Sequence, residues 1–147
     1  MPIEVIGVNE VVNRLRRIED RTTQRQLRRL KKGAKDITQT AKNYAPVDQG
    51  NLEEAITAVA TREGTFKNRI EFLIGVDKSK LGPGKNPGGF DYDVEMHEGH
   101  YKLGERSKEK QERLGVIVGA KYLERALQDH EPGIIEDMER IVEEETR

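Results

Sequence analysis

The segment Thr23–Leu52, TQRQLRRLKKGAKDITQTAKNYAPVDQGNL, decides how the chain is read. Leu27, Leu30, Ala34, Ile37, Ala41 and Tyr44 recur at steps of three and four, the spacing that puts side chains on one face of an α-helix. Thr23 followed by Gln26 has the form of a capping box, so the spacing predicts a helix over residues 23–45, roughly 34 Å long. The apolar stripe is narrow, and Arg25, Arg28, Arg29, Lys31, Lys32 and Lys35 flank it. One face is therefore expected on a sheet, and the rest in water or against another chain. Pro46 stops the helix, because proline disfavours helical geometry in the residue before it. Asp48 can then accept from backbone amides just ahead, and Gly50 can supply a positive φ if the turn needs one. A β-branched residue at position 50 is expected to cost about 1–3 kcal/mol on that account.

Upstream, Val8, Val11, Val12, Leu15 and Ile18 keep helical spacing after a cap at Asn9, with a break expected near Asp20 to Thr23. Downstream, Leu52 to Ile56 reads as one short turn, and the period then becomes alternating. Thr57 to Arg62 and Arg69 to Val76 are predicted strands joined by Glu63 to Asn68, with Ile70, Phe72, Ile74 and Val76 on one face. Leu81 to Phe90 holds four glycines and two prolines and reads as a mobile loop that orders only against another chain. Phe90 would anchor that contact, with Lys80 and Lys85 as rim charges. Tyr92 and Met96 stand at helical spacing in Asp91 to Gly99. Lys102 to Arg113 reads as an exposed polar excursion and Val116 to Val118 as a brief strand. Lys121 to Asp129 is predicted helical, and Pro132 suits the first turn of a terminal helix with Ile134, Ile135, Met138, Ile141 and Val142 inward.

The 147 residues fit one domain, 1–147. Hydrophobic residues make up 34% and charged residues 36%, which predicts a thin core under a charged surface. Cysteine is absent, excluding disulfides and thiolate chemistry, and no apolar run is long enough for a membrane helix. The net charge of −1 hides an asymmetry: residues 1–47 carry 11 Lys/Arg against 5 Asp/Glu, whereas residues 128–147 carry 2 against 8. Such ends suit a basic helix beside an acidic one in the same subunit, one copy docking on another, or a basic stripe for nucleic acid.

Nothing in the sequence argues for an enzyme. His97 and His100 are three apart across Gly99, where a zinc-binding helix needs a spacing of four, and His130 is remote. Gly84-Lys85-Asn86 lacks the Ser or Thr that a phosphate-binding loop places after its lysine. No cofactor or metal is expected. Duplex binding by Arg14, Arg16, Arg17, Arg21 and the cations up to Lys42 is chemically apt, but these residues have no interleaved aromatic platforms.

In this setting Ala45-Pro46-Val47-Asp48-Gln49-Gly50-Asn51-Leu52 resembles the Ala-Pro-x-Asp-Thr-Gly-x-Leu motif of a family of tailed-bacteriophage neck and tail-completion proteins. The likeness covers most of the chain. The opening Ile3 to Leu15, the long amphipathic helix, the strand pair, the segment Tyr92 to Gly99 and the run Tyr122-Leu123-Glu124-Arg125-Ala126-Leu127 follow in the family's order. Gln49, Glu53, His97, Glu98 and Arg125 depart from its usual residues. The resemblance implies a non-enzymatic virion protein, present in the host cytoplasm during assembly. Its copies would form a homo-oligomeric ring, a hexamer rather than a dodecamer, in the head-tail neck. That ring would continue the DNA channel without sequence-specific binding and without membrane contact. It would touch connector or adaptor proteins on one side and tail terminator or tail tube proteins on the other. Pro46, Asp48, Gly50 and Leu52 would form the family turn, and Phe90, Lys80, Lys85, Arg28, Arg29 and Lys32 the partner contacts. The expected fold is α+β, a small antiparallel sheet packed by a long N-terminal helix and C-terminal helices. A basic-helix nucleic-acid-binding module is the alternative.

Overall fold

The computed structural model describes residues 8–47, 51–61, 71–81 and 92–147. The fold is α+β, as the periodicities predict. Helix α1 (Val8–Tyr44) runs for 37 residues, about 55 Å, and is followed by the short α2 (Asn51–Ala55). Strands β1 (Ile56–Thr61) and β2 (Glu71–Val76) pair antiparallel, with Ile56 opposite Val76 and Val59 opposite Leu73. A 3₁₀ turn (Lys78–Lys80), α3 (Tyr92–Glu98), α4 (Glu105–Leu114) and α5 (Tyr122–Thr146) complete the order.

Helix α5 lies antiparallel along α1. Near one end Arg25 meets Glu144 and Glu145, and near the other Thr40 meets His130 at 2.7 Å and Tyr44 donates to Asp129 at 2.5 Å. The core sits where α1, α2, β1 and the start of α5 converge, and Ala41, Ala45, Ala55 and Ala126 are fully buried there beside Ile37, Leu52, Ile56, Leu81 and Tyr122. Alanines let the helices approach closely but supply little apolar area each, so the core is as thin as the composition implies. Phe72, Ile74 and Val76 lie partly buried, whereas Leu73 and its partner Val59 are more than half exposed on the other face.

Several expectations are corrected. There is no break at Asp20 to Thr23. The Thr22 hydroxyl donates to Ile18 O one turn back inside α1, and Arg25 ties the same stretch to α5. Thr23 and Asn9 are likewise interior to α1 rather than caps. Lys102 to Arg113 is not an excursion, because α4 buries Ser107 and Lys110. Val116 to Val118 is not a strand but part of the connection from α4 to α5, which leaves α4 through Gly115 at φ 64°. Pro132 does not start a helix. It lies inside a continuous α5 on an exposed face with Gln128, whose carbonyl can turn to water in place of the missing amide. Of the residues expected inward there, Ile141 is buried, Ile134 and Met138 half-buried, and Ile135 and Val142 exposed. Leu81 is core, not loop, and its carbonyl accepts from Asn51 Nδ2 at 3.3 Å. The strand ends at Arg62, Arg69 and Ile70, the hairpin connection 63–68 and the rest of the loop, 82–90, lie outside the described residues.

Candidate functional site

An α-helix ends with carbonyls that have no partner of their own, and burial makes each of them costly. At the end of α1 those carbonyls are satisfied by residues from the far half of the chain. Lys110 Nζ donates to Lys42 O at 2.5 Å, to Ala45 O at 2.7 Å and to Glu53 Oε1, and its side chain is only 4% exposed. Gly119 N donates to Tyr44 O at 2.9 Å. Ser107, one turn from Lys110 on α4, accepts from Val47 N at 2.8 Å and donates to Val47 O at 3.1 Å. Pro46 is buried between these contacts and Leu52 is 3% exposed, so both ends of the predicted turn are fixed. Asp48 and Gly50 lie outside the described residues. Burial pushes the Lys110 ammonium below the usual lysine range, and the Glu53 carboxylate opposes that shift.

Arg125 braces the same corner. Its guanidinium donates to Ile117 O at 2.8 Å, Ala120 O at 3.1 Å and Gly119 O at 3.4 Å, and it lies 4.8 Å from the centre of the Tyr44 ring. Beyond it, Lys121 pairs with Glu98, which links the start of α5 to α3.

The basic stretch of α1 divides in two. Arg25 lies 2.6 Å from Glu144 and 2.8 Å from Glu145, and Arg29 lies 2.5 Å from Asp137. Thus a basic helix does lie beside an acidic one within the subunit, and Arg29 is taken up by that pairing. Arg14, Arg17, Arg28, Lys31, Lys32 and Lys35 are exposed and have no ion-pair partner among the described residues. Lys80 is exposed on the 3₁₀ turn, and Lys85 and Phe90 lie outside the described residues.

The Arg25 and Arg29 hydrogen bonds hold the Glu144 and Asp137 carboxyls below their ordinary ranges. A depressed carboxyl binds its proton later than the unfolded chain does, so its stabilisation is complete above pH about 4.5 and drains away as pH falls through the depressed value. The melting temperature is expected to be flat from pH 7 to about 5 and to fall below that. In an Arg25→Met variant the acid limb should be shallower, and an identical limb in both proteins would refute the assignment.

His97 and His100 do not converge. The His97 ring packs edge-on against Tyr122, centroids 4.9 Å apart, and its Nδ1 lies 2.7 Å from Glu98 Oε1, while His100 is exposed. Among the described residues no three His, Asp or Glu side chains are grouped to hold a metal ion, and no helix is long and apolar enough to cross a membrane. No family model, curated protein or solved structure matches the chain.

Sequence reasoning missed Lys110, Ser107 and Arg125. Ser107 and Lys110 are polar residues in a polar run and Arg125 sits on an amphipathic helix, and only the tertiary path of α4 and α5 gives each of them backbone groups to serve.

Proposed function

We propose that the chain is a structural subunit of the head-tail neck of a tailed bacteriophage, assembling as a ring around the DNA path. The observation that carries this reading is the far end of α1. Helix α5 finishes level with Arg21, which lies 4.0 Å from Glu145, and α1 continues beyond it by 13 residues, about 20 Å. On that projecting part Val8, Val11 and Leu15 are 51%, 59% and 60% exposed, in line with the stripe that α5 covers further along. A helix that leaves an apolar stripe bare among the described residues suits a subunit completed by its neighbours. The exposed pair Val59 and Leu73 on the outer face of a two-stranded sheet points the same way. The motif order and the clamped turn at Pro46 add the family resemblance.

The exposed cations of α1 favour a second reading, a module that binds duplex DNA through phosphates. Symmetry-resolved electron microscopy of the virion neck separates the two. A ring of this chain coaxial with the tail is expected, whereas a neck without it, together with tight duplex binding that collapses with added salt, would establish the second reading.

A further inference from the structure

The pairing that holds α1 to α5 inside one subunit has a second copy of its pattern facing solvent. On α1, Arg28, Lys32 and Lys35 advance by four and then three residues, a spacing that keeps them on one helical face, and all three are exposed. On α5, Glu143, Glu139 and Glu136 descend by four and then three, on the side turned away from Ile134, Asp137 and Ile141, and all three are exposed. None of the six has an ion-pair partner among the described residues. Two antiparallel helices present these rows to each other in register.

That register is the one the subunit already uses. Inside the chain Arg25 stands opposite Glu144 and Glu145, and Thr40 opposite His130. Carrying the same alignment along the helices puts Arg28, Lys32 and Lys35 within about one residue, roughly 1.5 Å, of the levels of Glu143, Glu139 and Glu136.

We propose that the Arg28/Lys32/Lys35 face of α1 docks on the Glu143/Glu139/Glu136 face of α5 in a second copy of this chain, antiparallel and at the same height. The inference rests on the ring reading and names its subunit contact. The two faces are different surfaces of one chain, so the contact is heterologous and repeats from copy to copy. A heterologous contact with almost no axial displacement closes into a ring, where a displaced one would wind into a filament. It also accounts for the charge balance: a chain with a basic and an acidic face has a net charge near zero, −1, and little long-range attraction for DNA. Exposed ion pairs are individually weak, so these rows set partner and register while apolar surface elsewhere supplies adhesion.

The test uses the full chain in sedimentation velocity, at roughly 50 mM and roughly 500 mM salt. Two reversed proteins are made: Arg28→Glu/Lys32→Glu/Lys35→Glu and Glu136→Lys/Glu139→Lys/Glu143→Lys. Each alone is expected to associate about tenfold or more weakly than the parent. An equimolar mixture should restore the ring, because reversed faces then meet reversed faces and parental faces meet parental ones. Such a ring alternates, so it holds an even number of copies. Circular dichroism checks folding, and the single exchange Lys32→Glu with Glu139→Lys repeats the test if a triple variant is unfolded. A ring that forms equally well in either reversed protein overturns this contact and leaves the ring reading standing. A parent chain that stays monomeric at every concentration overturns both. Self-association untouched by reversal of α1, with loss of binding to a 30-base-pair duplex, assigns the basic face to nucleic acid and overturns the proposal.

Discussion

Replacing Lys110 by Met is expected to destabilise the fold by about 3 kcal/mol, because it removes one ammonium that serves three acceptors at the end of α1. Met has similar length and fills the space, so the loss is one of hydrogen bonds rather than volume. Glu53 is about one-third exposed and can recover water, whereas Ala45 belongs to a fully buried position and its carbonyl cannot. The cost therefore concentrates on the carbonyls of Lys42 and Ala45, to which the ammonium donates at 2.5 and 2.7 Å. For a chain of this size about 3 kcal/mol lowers the melting temperature by roughly 6–12 °C. Lys108, two residues away on the exposed side of the same helix, provides the control, and Lys108→Met should change stability by less than about 0.5 kcal/mol. Equal melting temperatures for the two variants would show that the clamp contributes nothing.

The contrast between Lys108 and Lys110 also shows where the amino-acid order is legible and where it is not. The stripe Leu30, Ala34, Ile37 and Ala41 is readable because period and composition agree, and the structure places it on the face of α1 that meets the core. The change to alternation after Asn51 is readable for the same reason, and β1 and β2 begin or end within a residue of the expected Thr57 and Val76. Helix ends are less legible. Thr22, Thr23 and Pro132 carry boundary chemistry, but a boundary residue ends a helix only when nothing else holds the next turn in place. Here α5 holds α1 through Arg25, and α1 holds α5 through Ile134 and Asp137, so both helices run on. The segment 105–114 is misread for a stronger reason. Its polar pattern is that of a solvated helix, and the burial of Ser107 and Lys110 depends on carbonyls more than fifty residues earlier in the chain. The charge asymmetry is readable as a quantity, yet the sequence leaves three uses open. The structure shows that part of it, Arg25 and Arg29, is spent inside the subunit and that Arg28, Lys32, Lys35, Glu136, Glu139 and Glu143 stay exposed.

Tyr122→Ala is expected to be the most damaging single substitution among the described residues, at about 4 kcal/mol, or roughly 10–15 °C in melting temperature. Among the described residues Tyr122 is the largest fully buried side chain, and it opens α5, so its ring holds the start of that helix against the rest of the core. It also carries α3. The ring takes the edge of His97 with an interplanar angle of 79°, and its hydroxyl donates to Asp93 O at 3.3 Å. Truncation would open a cavity under α3 and loosen His97, whose backbone carbonyl accepts from Lys121 N at 2.7 Å. Two separable quantities are involved, the ring and the hydroxyl. Tyr122→Phe keeps the ring and removes only the hydroxyl, whose bond to Asp93 O is long, so it should cost only about 1 kcal/mol. Chemical unfolding of the three proteins measures both terms. A Phe variant as unstable as the Ala variant would move the stabilisation from packing to the hydroxyl. An Ala variant within about 1 kcal/mol of the parent would mean that α3 and the start of α5 are not joined through this ring.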